Sequence, residues 1–220
     1  MAGWRGVSFF LALTVALIGA AAWLSLPETW PAASRRAISR AALRENVRRF
    51  FSNRVTIGNT AVSGLVYGAM FGLIGISPEI YAGLYGVEQW FSLLFALVGI
   101  SIAAASLVNS RLIPRFGTAT VLRAASLFLA GFAVLFAVTS VLTFPSLLVL
   151  QIFVLILMFC KGIVFANCNA LAMEPQGPIA GFASGMVGAL TMIASAVVAQ
   201  LLGGLFVYGL GQVATGYAAV

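Results

Sequence analysis

Residues 55–76 read VTIGNTAVSGLVYGAMFGLIGI, from Val55 to Ile76, without a single charged side chain. Twenty-two residues at 1.5 Å each make a helix of about 33 Å, enough to cross a hydrocarbon core of about 30 Å. Within it about 100° per residue gathers Asn59, Ser63, Tyr67 and Met70 on one side and Gly64, Gly68, Gly72 and Gly75 on the other. Glycines four apart let a neighbouring helix approach closely, so Gly64, Gly68 and Gly72 form a packing face. The opposite stripe carries an amide that lipid cannot satisfy. It is therefore expected to line an aqueous cavity, with a helix interface as the alternative.

The rest of the chain repeats this pattern. Of 220 residues 62% are apolar and 8% charged, where about 25% charge is usual in soluble domains. Mean hydropathy is +1.08. Further apolar runs fall at about 7–26, 89–109, 119–140, 145–167 and 180–205, and a last one starts at Val207. The expected fold is all-α, a polytopic membrane protein with six complete spans and a truncated seventh. The fourteen residues from Val207 to Val220 reach only about 21 Å, as if the last span were cut.

Composition excludes most enzyme chemistry. Histidine and aspartate are absent, which removes a Ser-His-Asp triad, histidine metal sites and aspartate-held magnesium. Cys160 and Cys168 match neither a zinc pattern nor a disulfide framework and read as buried thiols. No catalytic residue, metal or cofactor is expected.

Charge gives the orientation. Arg35, Arg36, Arg40, Arg44, Arg48, Arg49 and Arg54 crowd the segment after the first span; Arg111, Arg115 and Arg123 border the break near 110–118; Lys161 lies in the fifth span. Breaks at 77–88 and 141–145 have no cation, and the former carries Glu79 and Glu88. Eleven of the twelve cations thus fall on one side, with Arg5 alone on the other. The positive-inside rule puts segment 27–54 in the cytoplasm and the N-terminus outside. Beside a span, its basic cluster reads as an anchor to anionic lipid rather than a nucleic-acid site. Leu43, Val47 and Phe50, with Phe51 at the edge, share one side of a possible surface helix within 34–54, and Arg44 and Arg48 lie toward another. A solvated linker is the competing reading.

Arg5, the apolar stretch Val7–Leu17 and Ala20-Ala21-Ala22 resemble a secretory leader. Cleavage there would leave the arginine segment outside, against the charge of the other loops, so the expectation is that earlier spans precede Met1.

Three further features suggest roles. Gly181, Gly185 and Gly188, with Ser195 and Ala199, form a small-residue stripe expected to pack against another helix. Gln151 and Asn167 are polar groups of the fifth span and join Asn59, Ser63, Tyr67 and Met70 as cavity candidates. Lys161 is either a substrate- or proton-linked charge or a side chain snorkelling to the interface.

Gly3-Trp4-Arg5 heading a span that ends Leu26-Pro27-Glu28-Thr29, followed by a basic loop, is similar to the sixth helix and central loop of major facilitator superfamily transporters. Asn109-Ser110-Arg111-Leu112-Ile113-Pro114-Arg115-Phe116-Gly117 resembles the loop between helices eight and nine of the bicyclomycin and chloramphenicol resistance type drug:proton antiporters. Leu84-Tyr85-Gly86-Val87 before Phe91–Leu97, and Phe165-Ala166-Asn167 with Asn169–Pro175, look like the same subfamily. The resemblance implies helices six to twelve: 1–26 as helix six, 27–54 as the central loop and 55–220 as the C-terminal bundle. It implies a bacterial inner-membrane exporter of small amphipathic compounds, working by alternating access with proton exchange and completed by an N-terminal half. Asn109, Arg111, Arg115 and Gly117 would form a cytoplasmic gating loop, an arginine pairing with Glu174; the plainer reading makes these arginines topogenic only. Partners would be the bilayer, a small-molecule substrate and protons, with no nucleic acid. The alternatives are a self-standing seven-span subunit or scaffold, or an inactive truncated relic.

Overall fold

Asn53 has an extended backbone, and its side-chain Oδ1 accepts the Thr56 amide at 3.0 Å, which caps the helix that follows. The computed structural model describes residues 3–25 and 39–206, all of its regular structure helical. The chain divides into two units, Met1–Ala42 and Leu43–Val220. The first holds α1 (Gly3–Ser25), an apolar helix in which Thr14 donates back to the Phe10 carbonyl at 2.8 Å. The run from Val207, residue 26 at the end of the first span and residues 27–38 of the central loop lie outside the described residues.

The second unit contains most of α2 (Arg40–Ser52), then α3 (Arg54–Pro78), α4 (Phe91–Phe116), α5 (Thr118–Leu142), α6 (Leu147–Met173) and α7 (Ala180–Phe206). Among the described residues, five helical stretches are long and apolar enough to cross a membrane; the last, 147–204, contains both α6 and α7. The segment read from sequence as loop 27–54 is thus helical over α2. Its Phe50 is fully buried against Ala172, Ala183 and Val187, while Leu43, Val47 and Phe51 stay exposed.

Packing follows the smallest side chains. A Cβ at Gly64 would stand 2.6 Å from Ala194 Cβ, one at Gly68 2.6 Å from Val198 Cβ and 2.9 Å from the Ser195 backbone, and one at Gly72 3.1 Å from Leu202 Cβ. These pairs advance together, so α3 and α7 run parallel in close contact. Gly162 of α6 similarly admits Ala105 of α4, where a Cβ would meet the alanine methyl at 3.0 Å. On its other side α3 meets α6 antiparallel, as Thr56 with Ala172 and Tyr67 with Phe165 show. α6 therefore touches α3, α4 and α5. The main apolar cluster sits among them and includes Ala69, Val98, Phe136, Leu150, Val154 and Met158.

Two expectations are corrected. The glycines of α7 do not form its packing face: at Gly181, Gly185 and Gly188 an added Cβ would meet nothing within 4 Å among the described residues. Of that stripe only Ser195 and Ala199 reach the α3 glycines, at its edge; the contact is centred on the adjoining face, through Ala194, Val198 and Leu202. Nor is 109–117 a loop. Asn109, Arg111 and Arg115 belong to α4, Pro114 sits within its last turns, and the chain reverses at Gly117 alone. That residue has φ +77°, a conformation glycine adopts without steric cost.

Replacing Gly68 with alanine is expected to destabilise the bundle by about 1–3 kcal/mol, because its new Cβ meets backbone that cannot swing aside. Gly75→Ala, where the space is open, should leave stability unchanged or slightly raised. Thermal melts of the two purified variants in detergent check this; equal melting temperatures would contradict it.

Candidate functional site

The two ends of the bundle differ in charge and in how they are tied. One end, where α3 begins, α4 meets α5 and α6 turns into α7, carries Arg54, Arg111, Arg115 and Arg123; the other carries Glu79 and Glu88.

At the arginine end Thr56 is fully buried. Its Oγ1 donates to the Ala172 carbonyl at 3.0 Å and accepts from Gln176 Nε2 at 2.7 Å. Gln176 lies in a short 3-10 helix (Glu174–Ile179) that joins α6 to α7. Nearby, Asn167 Nδ2 donates to Asn109 Oδ1 at 2.7 Å and to its own Ile163 carbonyl at 2.9 Å, which ties α6 to α4. Asn167 is fully buried, so it acts as a tie between helices and not as the wall of an aqueous cavity. Glu174 is exposed at the start of the 3-10 helix, which packs chiefly against α3, α6 and α7, whereas Arg111 and Arg115 are exposed on α4.

At the glutamate end the chain keeps a helical path beyond Pro78, the last residue of α3. Proline has no N–H to give the Ile74 carbonyl, and the Ser77 hydroxyl donates to that carbonyl instead, at 2.8 Å. The chain then widens into a π-helical turn, Glu79–Leu84, and leaves it at Gly86 with φ +63°. This turn aims Tyr81 and Tyr85 at the bundle. Tyr81 OH donates to Gln151 Oε1 at 2.5 Å, Gln151 Nε2 donates to the Leu94 carbonyl at 3.1 Å, and Tyr85 OH donates to the Pro145 carbonyl at 2.7 Å. Gln151 thus clamps α6 to the end of α3 and to α4; like Asn167, it is spent on holding helices together.

Between these ties lies the middle of the α3–α6 contact. Tyr67 is half-buried, its ring stacked on Phe165 at 4.8 Å and edge-on to Phe71 at 4.7 Å. Met70 packs against the main core. Ser63 is buried with no hydrogen-bond partner for its hydroxyl among the described residues, and half-buried Asn59 donates to its own Val55 carbonyl at 2.9 Å. Lys161 is only 5% exposed. The register set by Tyr67 with Phe165 and Tyr81 with Gln151 puts it level with Met70 and Phe71. Because α6 continues to Met173, twelve residues or about 18 Å separate Lys161 from the end of its helix, against six residues in the span read from sequence.

An apolar crevice of about 740 Å³ lies elsewhere, between α4, α5 and α6. None of the cavity candidates lines it. Among the described residues no group of three acidic, cysteine or histidine side chains could hold a metal ion. Thr56, Gln176 and Tyr81 escaped the sequence reading; the clue to Tyr81 was the Ser77-Pro78 pair, which marks a disturbed helix.

A family model described as Major Facilitator Superfamily matches residues 1–218. An uncharacterized MFS-type transporter of Bacillus subtilis, YdgK, is 30% identical over 199 residues, covering 90% of this chain and 47% of its own length. The chloramphenicol resistance protein of Pseudomonas aeruginosa is 31% identical over 208 residues, covering 92% and 46%. A bicyclomycin resistance protein homolog of Haemophilus influenzae is 23% identical over 203 residues, covering 90% and 50%. The chain spans about half the length of the curated relatives it matches.

The clamp at the glutamate end is open to a double-mutant cycle. Tyr81→Phe and Gln151→Leu should each destabilise the protein, with a coupling of about 0.5–2 kcal/mol between them because they share one hydrogen bond. Additive losses in the melts of the two single variants and the double variant would show that the bond contributes nothing.

Proposed function

The chain belongs to the major facilitator superfamily, and from that premise we propose that it is the C-terminal part of a secondary transporter that exports small amphipathic compounds in exchange for protons. The carrying observation is Lys161, a basic side chain buried at mid-depth of a membrane-spanning helix. Ionisable groups are rare at that depth because charge is costly there, and where they persist they mark the path of a substrate or a proton. The resistance named for two relatives supports drug-like compounds as cargo.

The arginine end faces the cytoplasm of a bacterial inner membrane, in keeping with the bias of Lys and Arg to that side. An N-terminal half supplies the opposite wall, and the two rock about the midplane in alternating access. Tyr67, with Met70 beside it, offers the substrate an aromatic and polarisable surface; half-buried Asn59 offers hydrogen bonds two turns toward the arginine end. Lys161 is the point at which proton and substrate are coupled. The ties at both ends, through Gln151 and through Asn167, hold this half together as one body while it moves.

Efflux of a chloramphenicol-type compound from cells producing the full-length protein tests the reading. Lys161→Met is expected to lower proton-driven efflux by at least about tenfold, the cost of one lost charge contact, while the protein still reaches the membrane at normal level. Efflux unchanged in Lys161→Met would overturn the assignment. Loss of efflux together with loss of protein would be resolved by Lys161→Arg, which keeps the charge and should remain folded with altered pH dependence.

A further inference from the structure

α4 and α5 are consecutive antiparallel helices joined by one glycine, yet they touch each other little and each leans on α6. The space between them is the crevice of about 740 Å³, floored by α6. Small residues make it: Ala124 and Ala125 occupy the α5 wall where larger side chains would close the gap. From Ser101 to Phe116 along α4 it runs about 22 Å, more than the roughly 15 Å depth of one leaflet.

The lining is almost wholly hydrocarbon. Leu112, Phe116, Phe128, Ile156, Phe159 and Ile163 supply most of it, and the one hydroxyl set deep, that of Ser101, already donates to the Leu155 carbonyl at 2.6 Å. A drug-sized substrate needs several convergent polar groups to orient it, and beyond Ser101 this wall offers only the Thr120 hydroxyl at its mouth and the Cys160 thiol. A flexible alkyl chain needs none.

The charge is concentrated at one mouth. Phe116 and Thr120 border the crevice where α4 passes into α5, and exposed Arg115 adjoins Phe116, with Arg111 one turn earlier. Gly117 caps α5 without any side chain, so the positive end of the α5 dipole is also unscreened there. No acidic residue lies on α4 or α5 to compete for these cations. We propose that the crevice between α4, α5 and α6 is a binding site for one anionic phospholipid, an acyl chain lying against Phe128, Ile156 and Phe159 and the headgroup phosphate held by Arg115 and Arg111.

Full-length protein reconstituted with phosphatidylglycerol bearing a diazirine on its acyl chain, against phosphatidylcholine bearing the same group, tests this. After illumination, peptide mass spectrometry should find phosphatidylglycerol on α4, α5 and α6 residues of the crevice, about tenfold in excess of phosphatidylcholine. Ala124→Trp, which fills an exposed part of the wall, should remove these adducts and leave the melting temperature near that of the parent. Arg111→Gln with Arg115→Gln should abolish the preference for the anionic lipid and leave the acyl position unchanged. Adducts spread evenly over all lipid-facing helices, adducts unaltered by Ala124→Trp, or a headgroup preference that survives loss of both arginines would each overturn the proposal. So would displacement of the lipid by an exported compound in the double-arginine variant, which would make the crevice a substrate site.

Discussion

Contact between α3 and α7 is closer than any side chain larger than hydrogen would permit at Gly64 and Gly68. In a bilayer there is little hydrophobic drive to bring helices together, so dispersion across closely approached backbones must do it. The parallel pairing of α3 with α7 fixes one flank of α3 and leaves the opposite flank for α6. α6 in turn carries α4 and α5. Loss of the glycine contact would release α3, and with it the register that sets Tyr67 on Phe165 and Lys161 at mid-depth.

Polar groups follow a consistent division. Amide and hydroxyl side chains near the helix ends are paired with each other or with carbonyls of neighbouring helices, through Thr56, Gln176, Asn109 and Asn167 at one end and Tyr81, Gln151 and Tyr85 at the other. Such pairs are directional and cannot be satisfied by lipid, so they fix helix register where simple packing would allow slippage. The middle of α3 and α6 is built differently, from aromatic stacking and a buried lysine. Directional ties at the ends and close backbone packing along the middle of α3 together hold these helices in one register.

Much of this was legible in the residues. Apolar runs of helical length, with at most one charge each, revealed the spans, and the α3 glycine stripe announced a packing face because glycines four apart leave a groove whatever lies opposite. The α7 stripe Gly181, Gly185 and Gly188 had the same periodicity but lies open among the described residues, since periodicity tells which residues share a face and not what faces them. Asn109, Arg111 and Arg115 looked like a loop because polar side chains interrupt the apolar run; backbone bonds within the helix outweigh that interruption, and only Gly117 breaks it. Gln151 and Asn167 are polar residues in an apolar span, which marks a cavity wall and a helix tie alike. Partners 57 to 70 residues away decide between the two, and no local pattern carries that information.

A disulfide test reaches the central contact most directly. With Cys160 and Cys168 replaced by alanine, Gly72→Cys and Leu202→Cys are introduced together in the full-length protein and membranes are treated with a mild oxidant. Their Cβ atoms, about 3.1 Å apart before a small relaxation, should give an intramolecular crosslink in high yield, bridging α3 and α7 at this level. Absence of that crosslink, with efficient bridging of Gly72→Cys to Gly203→Cys on the adjoining face of α7, would contradict the arrangement from which the rest of the account follows.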